Sequence, residues 1–271
     1  MSLPPGNRVA AELSRGGLPT PDVVIEPDAE RLARAVAAAL VARLAAAQAV
    51  HGSASVVLTG GGIGTAILGH VAGLAAEPAR ETVDWTAVDV WWGDERFVPA
   101  DDDERNEKGA RQALLDRVGV PAERIHAIPA SDGPFAEPED AAAWYADQLA
   151  AAAPEGQELP RIDVLLLGMG PEGHVASIFP ESPAVSDGRP VVAVRNCPKP
   201  PPTRVSLGFP AINAAEEVWL LVSGEAKAPA VADALTGAEP AHLPAAGVHG
   251  RRATRWLLDS AAASRLPAPP R

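Results

Sequence analysis

The feature that most constrains the fold of this 271-residue chain is an uninterrupted apolar segment, residues 164–167, which runs into a glycine-rich turn. A continuous Val/Leu run is typical of a parallel strand that is buried on both faces. The turn, residues 168–174, contains three glycines that let backbone N–H groups approach a ligand, and it ends with Glu172 and His174. Because ligands of open α/β sheets bind at the carboxyl ends of strands, this stretch predicts a binding site with a titratable pair.

The same turn matches the dinucleotide-binding pattern Gly-x-Gly-x-x-Gly through its three glycines. That pattern requires a long helix next, inside a βαβ unit of about 30 residues, and Pro180 and Pro183 interrupt any such helix. No acidic residue closes the next predicted strand, residues 191–194. Arg195 follows that strand and could suit a 2′-phosphate, so NADP binding stays an alternative, disfavoured because the motif lies deep in the chain.

Composition narrows the classes of partner and compartment. Apolar residues make up 47% of the chain and can build a full core, while the formal net charge of −12 disfavours nucleic acid and anionic membranes as partners. A negatively charged ligand would therefore need local positive groups. Cys197 is the single cysteine, so no internal disulfide forms, which fits a reducing compartment. With no signal peptide or membrane-length apolar run, we expect a cytoplasmic protein.

Apolar strands alternate with helical segments along the chain, which predicts an α/β fold with a mostly parallel sheet and helices on both faces. No linker divides the middle, so residues 22–265 are predicted to form a single α/β catalytic domain. Residues 1–21 are predicted to be a loose arm and residues 266–271 a frayed tail. The sequence does not indicate an oligomeric state. The predicted strands are residues 55–58, 88–92, 124–128, 162–167, 191–194, 205–207, 218–222 and 256–258.

Two further predicted strands end in residues suited to a ligand. Gly60, Gly61 and Gly62 follow the first strand and would free N–H groups at a helix start, where the dipole favours anions. A tight turn explains these glycines equally well, and no Gly-Lys-Ser/Thr follows to make a P-loop. Asp94 and Arg96 follow the second strand and could point into a cleft, although a surface loop with an internal ion pair is the alternative.

His174 is the strongest candidate for a catalytic group. An imidazole titrates near neutrality and can serve as general base and then as general acid, and the neighbouring Glu172 could fix its tautomer. Gly170 would bring backbone close to the ligand at the same turn. No histidine has metal-ligand spacing, so no metal site is predicted. Serine hydrolase chemistry is also unsupported, since the chain has no Gly-x-Ser-x-Gly elbow.

Two cations complete the predicted site. Three prolines, residues 200–202, stiffen the chain ahead of Arg204 and would hold it against the body of the protein. Lys227 lies at a strand-to-helix junction, where its charge opposes the helix dipole, so an anionic ligand would stabilise it there. An ordinary exposed lysine is the alternative for Lys227.

Together these motifs resemble, in the expected order, those of the glucosamine-6-phosphate isomerase/6-phosphogluconolactonase family. The resemblance spans roughly residues 55–228, and the histidine motif with the Gly-Asp-Glu-Arg motif makes it specific. The matching segments are Thr59-Gly60-Gly61, Gly93-Asp94-Glu95-Arg96-Phe97-Val98-Pro99, Leu167-Gly168-Met169-Gly170-Pro171-Glu172-Gly173-His174-Val175-Ala176-Ser177-Ile178-Phe179-Pro180, Lys199-Pro200-Pro201-Pro202-Thr203-Arg204-Val205-Ser206 and Val222-Ser223-Gly224-Glu225-Ala226-Lys227-Ala228.

The resemblance implies a modified Rossmann-like sheet, no metal, no nucleotide and no other cofactor. It implies hydrolysis of 6-phospho-D-glucono-1,5-lactone to 6-phospho-D-gluconate in the oxidative pentose phosphate pathway, with a small sugar phosphate as the partner molecule. The residues that match family positions are His174 as general base with Glu172 beside it, Asp94 and Arg96 in the active site, and Arg204 and Lys227 as sugar-phosphate contacts.

The chain departs from the family pattern at two places. Relatives commonly have Gly-Gly-Ser-Thr-Pro in the first glycine loop, and Ile63 and Gly64 remove a hydroxyl there. Glu172 stands where relatives often have aspartate, which alters its reach to His174. The isomerase branch has a tyrosine in place of Arg96 and a glutamate in place of Phe179, so the lactonase interpretation is favoured. A sugar-phosphate isomerase/deaminase and a non-catalytic sugar-phosphate-binding module remain alternatives.

Overall fold

A computed structural model describes residues 7–10, 20–77 and 83–267 of the chain. Ten strands and seven helices make up the described part. The strands are β1 Asn7–Ala10, β2 Asp22–Glu26, β3 Ala54–Leu58, β4 Val88–Trp92, β5 Asp94–Arg96, β6 Val164–Gly168, β7 Val191–Val194, β8 Arg204–Leu207, β9 Glu217–Val222 and β10 Ala253–Asp259. The helices are α1 Ala29–His51, α2 Gly61–Ala75, α3 Asn106–Ala110, α4 Asp116–Val118, α5 Pro138–Ala151, α6 Phe209–Ile212 and α7 Ala228–Leu235.

The main sheet has seven strands in the order β1-β2-β10-β9-β6-β3-β4. Every neighbouring pair is parallel except β1 with β2. The central strands β3, β6 and β9 are buried along almost their whole length, which explains why their sequences are continuous apolar runs rather than alternating ones. The prediction of a mostly parallel α/β sheet is confirmed.

Helices cover both faces of this sheet because the crossovers run in opposite directions. The connections through α1 and α2 move the chain towards β4, whereas the connection through α7 moves it the other way, from β9 to β10. Parallel crossovers are right-handed, so α7 lies on the face opposite to α1 and α2. The latter two pack against each other, and α5 packs against β7 and β8.

The direction of winding changes between β3 and β6, and this change creates a crevice at their carboxyl ends. After β3 the chain continues to β4 on one side, and after β6 it continues to β9 on the other. A hydrogen bond joins the two strand ends, since the Gly168 N–H donates to Thr59 Oγ1 at 3.3 Å. A crevice of this kind is where open α/β sheets bind ligands.

Some elements differ from the sequence-based expectations. Residues 7–10 form an edge strand inside the predicted loose arm, and β2 was not predicted. Residues 124–128 do not form a strand: a short 3₁₀ turn precedes Ile125, which makes a single bridge to Val90. The strands β5, β7 and β8 form a separate antiparallel sheet. Residues 1–6 and 11–19 of the predicted arm and residues 268–271 of the predicted tail lie outside the described residues.

Helix α1 is long and apolar enough to cross a membrane by length and composition alone. Its position in the fold accounts for that composition. One side of α1 packs into the hydrophobic core through residues such as Leu32, Val36 and Leu40. Arg43 on the same helix binds Glu217 at the start of β9, with 2.8 Å between Nε and Oε1. These contacts identify α1 as a core helix.

Candidate active site

A cleft of about 370 Å³ opens where the carboxyl ends of β3, β6 and β9 meet strand β5. Loops that are far apart in sequence therefore contribute to one wall. Every site residue predicted from the sequence lines this cleft except Glu172, which lies behind His174. The predicted residues that line the cleft are Gly60, Gly61, Gly62, Asp94, Arg96, Gly170, His174, Arg204 and Lys227.

The turn after β6 holds His174 through backbone hydrogen bonds. The Gly170 N–H donates to the carbonyl of His174 at 3.1 Å, and the Gly173 N–H donates to the carbonyl of Gly170 at 3.0 Å. Gly173 has a φ of +85°, a conformation that glycine adopts readily. A Cβ atom on Gly170 would lie 2.1 Å from His174 Nδ1 and 2.6 Å from Glu172 Oε2. Only glycine at position 170 leaves room for this pair.

His174 forms a short contact with a carboxylate and packs against an aromatic ring. Its Nδ1 lies 3.0 Å from Glu172 Oε1, so Nε2 is the ring nitrogen available to a ligand. The imidazole stacks on Phe179 with ring centroids 4.4 Å apart. Burial lowers the pKa of His174, although the Glu172 carboxylate acts in the opposite direction. A depressed pKa keeps the imidazole neutral near pH 7, which a general base requires.

Glu172 has a second partner that the sequence analysis did not assign to the site. Lys199 Nζ lies 2.8 Å from Oε1 and 2.9 Å from Oε2 of Glu172. Burial alone would raise the pKa of Glu172, but the hydrogen bond from Lys199 and the contacts with His174 outweigh it and hold that pKa below its usual value. Glu172 is therefore an ionised carboxylate that both neighbours share.

Side chains alternate between the two faces of β5, so its three charged residues do not all point the same way. Asp94 and Arg96 face the cleft, while Glu95 points away and is almost fully buried. Glu95 accepts backbone N–H groups of Arg96, Asn106 and Glu107, at 2.7–2.9 Å, and so caps helix α3. Burial raises the pKa of Glu95 to about 7, although Arg105 and these three backbone donors act to lower it. Glu95 thus stabilises the start of helix α3 and does not line the cleft itself.

Asp94 and Arg204 are both buried at the floor of the cleft. Asp94 Oδ2 accepts a hydrogen bond of 2.7 Å from the Ser177 hydroxyl, and Arg204 Nη1 lies 3.9 Å from the same oxygen. Arg204 also donates to the carbonyls of Pro201 and Lys199, both at 3.1 Å. Its guanidinium lies over the ring that stacks on His174. Most of its donors are therefore already used by the protein.

Lys227 differs from Arg204 in having no close counter-charge. Its ammonium group makes no ion pair within 4.0 Å to the carboxylates of the described chain. Burial, together with the like charge of Lys199, lowers the pKa of Lys227, while Asp259 and Glu172 act more weakly in the opposite direction. The structure thus brings an uncompensated cation into the same cleft as the His174–Glu172 pair.

The family model for glucosamine-6-phosphate isomerases/6-phosphogluconolactonase matches residues 27–256, which is most of the chain. The chain belongs to this family. A 6-phosphogluconolactonase of Streptomyces coelicolor is 56% identical over 252 residues, covering 92% of this chain and 95% of the relative. One of Mycobacterium tuberculosis is 51% identical over 247 residues, covering 90% and 98%.

A solved structure extends the similarity to the fold. The 6-phosphogluconolactonase of Trypanosoma brucei superposes with a TM-score of 0.77 at 27% identity and covers 92% of this chain and 99% of its own. The modified Rossmann-like arrangement expected from the family motifs is therefore confirmed.

The first glycine loop forms the start of helix α2 at one side of the cleft. Gly60 precedes α2, and Gly61 has a φ of +80°. Ile63, one of the two residues at which the chain was expected to depart from the family pattern, lines the cleft and packs against the core. Contacts with a ligand at this loop would rest on the N–H groups at the start of α2.

Several cleft residues were missed by the sequence analysis. Asn106 donates to the Asp94 carbonyl at 2.9 Å, and its amide oxygen occupies the space next to Gly60 that a side chain would need. No local pattern marks this asparagine, because its contacts are made across the fold. Lys199 could have been recognised, since it begins the proline-stiffened segment that ends at Arg204. The other unpredicted lining residues are Thr59, Ile63, Gly168, Met169, Pro171, Ala176 and Ser223.

The described residues contain no group of three or more histidine, cysteine, aspartate or glutamate side chains placed to hold a metal ion.

Proposed function

We propose that this chain hydrolyses 6-phospho-D-glucono-1,5-lactone to 6-phospho-D-gluconate, as a hydrolase of carbohydrate metabolism in the pentose phosphate pathway. The observation that carries the proposal is the His174–Glu172 pair, whose imidazole lines the same cleft as Lys227, a lysine without an ion-pair partner among the described residues. The relatives named as 6-phosphogluconolactonases at 51–56% identity support the same reaction. The reaction needs no metal and no organic cofactor, since a lactone is an activated ester.

His174 acts as the general base in this mechanism. Its Nε2 removes a proton from a water molecule as that water attacks the C1 carbonyl of the lactone. Glu172 holds Nδ1 protonated and stabilises the imidazolium that forms. A positioned base of this kind typically contributes about 10²–10⁴-fold to the rate.

The negative charge that develops on the carbonyl oxygen needs donors at the cleft wall. The side chain of Arg96 and the N–H groups of the turn at residues 168–173 are the candidates. Each preorganised donor of this type contributes about 3 kcal/mol to transition-state stabilisation. The tetrahedral intermediate then collapses, and His174 returns its proton to the ring oxygen as the C1–O bond breaks.

Lys227 is the preferred phosphate contact. It has a free ammonium group in the cleft, whereas Arg204 donates to backbone carbonyls and lies near Asp94. A phosphate dianion next to Lys227 would supply the missing counter-charge. Arg204 then contributes mainly by shaping the floor of the cleft, and the N–H groups of the Gly60–Gly62 loop provide further donors.

The isomerase/deaminase alternative needs a second acid or base near the histidine to assist ring opening. Phe179 occupies that position and stacks on the imidazole. A phenyl ring cannot transfer a proton, so the lactonase reaction is favoured.

One assay tests the proposal directly. Freshly prepared 6-phosphogluconolactone is mixed with the protein, and its loss is compared with the spontaneous rate, before and after treatment with a chelator. We expect strong acceleration that the chelator leaves unchanged. Release of fructose-6-phosphate and ammonia from glucosamine-6-phosphate would favour the isomerase instead. Binding of 6-phosphogluconate without turnover of either substrate would indicate a non-catalytic module.

A further inference from the structure

Lys199 occupies a fixed position beside the catalytic pair. It lies on the segment between β7 and β8, and this segment is tied down at several points. The Cys197 N–H donates to the carbonyl of Pro202 at 2.9 Å, and the carbonyl of Lys199 accepts from Arg204 Nη2 at 3.1 Å. The backbone of Lys199 is therefore held by the same arginine that lies on the cleft floor.

The side chain of Lys199 completes a row of three titratable groups. Its Nζ contacts both oxygens of Glu172, at 2.8 and 2.9 Å, and Oε1 of that carboxylate faces His174 Nδ1 at 3.0 Å. The carboxylate is thus fixed from two sides. A flexible glutamate with only one partner would sample several rotamers, and most of these would leave the imidazole unsupported.

The charges around His174 come from several elements. Glu172 on its own turn and Asp94 on β5 favour the imidazolium, while Lys199 on the segment before β8 disfavours it. Arg204 lies across the Phe179 ring, and Lys227 lines the same cleft beyond Lys199. Without Lys199, Glu172 and Asp94 would still act on the imidazole, and the ammonium group that opposes them would be gone.

We propose that Lys199 is a positioning residue for the proposed lactonase reaction, which fixes Glu172 against His174 and offsets the charge of that carboxylate. The inference rests on the proposed function for its kinetic consequence. Its electrostatic consequence concerns His174 alone.

The pH dependence of kcat/KM tests this role. Removing the ammonium leaves Glu172 uncompensated, so the imidazolium becomes more stable and the pKa of His174 rises. For Lys199→Met we expect the acidic limb of the kcat/KM profile to move to higher pH by roughly half to one unit. A shift of about this size is expected when one charge is removed a few ångströms away in a partly solvated site. Lys199→Arg retains the charge and should keep the limb within about 0.2 unit of the wild type.

Lys227→Met is the matched control, because it removes the same charge from the same cleft but has no ion pair with Glu172. It should raise KM and leave the acidic limb in place. An unchanged acidic limb in Lys199→Met would overturn the proposal. A limb that moves to lower pH would mean that loss of the Glu172 contact outweighs loss of the ammonium charge, which overturns the charge offset assigned to Lys199. An increase in KM with an unmoved limb would instead make Lys199 a direct ligand contact, which also overturns it.

An NMR titration separates this inference from the proposed function. The Cε1–H signal of His174, assigned by its loss in His174→Gln, reports its pKa directly whether or not the chain is a lactonase. We expect the pKa of His174 to be higher in Lys199→Met than in the wild type, and in Lys199→Gln if the methionine variant does not fold. A chain without lactonase activity that still shows the shift would reject the function and retain the electrostatic role, and no shift would reject the role.

Discussion

Both ends of the parallel sheet carry charged residues, but the two ends differ in whether those charges are paired within the protein. At the amino end, Glu217 lies 2.8 Å from Arg43 and 3.2 Å from Arg255, and Asp163 lies 3.2 Å from Arg161. At the carboxyl end, Lys227 has no carboxylate within ion-pair distance among the described residues. The charges at the amino end are paired with one another inside the protein. Lys227 at the carboxyl end gains a partner only when an anion is present.

The difference follows from what each end must do. The amino ends of parallel strands face no ligand, so a charge buried there must be paired by the protein itself. At the carboxyl ends, the change in winding direction separates two loops and leaves a cleft. Charge that is unpaired at this end is available for substrate and for the transition state. The comparison therefore predicts large effects on activity from the carboxyl end and effects on stability from the amino end.

Replacing His174 by glutamine should produce the largest loss. The variant keeps a polar side chain of similar size but has no group that can accept a proton near neutral pH. We expect kcat for the lactone to fall by about 10²–10⁴-fold, with a much smaller change in KM. Steady-state kinetics after correction for spontaneous hydrolysis measure this. A variant that retains near-full turnover would remove His174 from its proposed role.

Gly170→Ala tests whether the geometry of the pair matters more than its chemistry. The new Cβ would lie 2.1 Å from His174 Nδ1, so the imidazole or Glu172 must move. We expect kcat to fall at least about tenfold, because a displacement of about 1 Å at a reacting group is costly.

Gly69→Ala is the matched control for this glycine substitution. A Cβ atom at Gly69 meets nothing within 4 Å, and the residue lies within helix α2. This variant should keep full activity and gain up to about 1 kcal/mol of stability. If both alanine variants behaved alike, close packing at Gly170 would have no catalytic meaning.

Lys227→Met should act on binding rather than on the chemical step. It removes the uncompensated cation of the cleft and keeps the length of the side chain. Loss of one charged contact to a phosphate is worth about 1.5–3 kcal/mol, so we expect KM to rise roughly 10- to 100-fold with a smaller change in kcat. Lys108→Met is the control, since Lys108 is paired with Asp103 outside the cleft. Equal KM values for the two variants would contradict the phosphate role.

Much of the central architecture could be predicted from local sequence. The continuous apolar runs of β3, β6 and β9 report burial on both faces, and the glycines after β3 and β6 mark strand ends that meet in space. The predicted order of strands and helices was therefore sufficient to bring distant motifs to one edge. Short strands were harder to predict from the sequence. Residues 124–128 have a strand-like composition, yet no continuous edge pairs with them beyond Ile125.

The parts of the site that sequence reasoning missed depend on contacts across the fold. Asn106 follows an acidic turn with no distinguishing pattern, and its role next to Gly60 exists only because α3 packs beside the first loop. The family resemblance implied that Arg204 contacts the sugar phosphate, but its Nε and Nη2 donors are used by the carbonyls of the proline segment that precedes it. Sequence can locate a charge near a cleft, whereas the partners of that charge decide its function.

Glu217→Gln probes the amino end and should have the smallest effect on catalysis. The substitution keeps the shape of the side chain but removes the charge that Arg43 and Arg255 share. Arg255 loses its carboxylate partner, and Arg43 keeps only the more distant Asp163, at 3.9 Å. We expect the free energy of unfolding in urea to fall by about 1–3 kcal/mol, with kcat/KM within twofold of the wild type. Glu216→Gln, whose arginine partners are mostly exposed and lie 3.8–4.0 Å away, should cost no more than about 0.5 kcal/mol. A large loss of activity in Glu217→Gln, at unchanged stability, would mean that the paired end of the sheet communicates with the cleft and that the two ends are not independent.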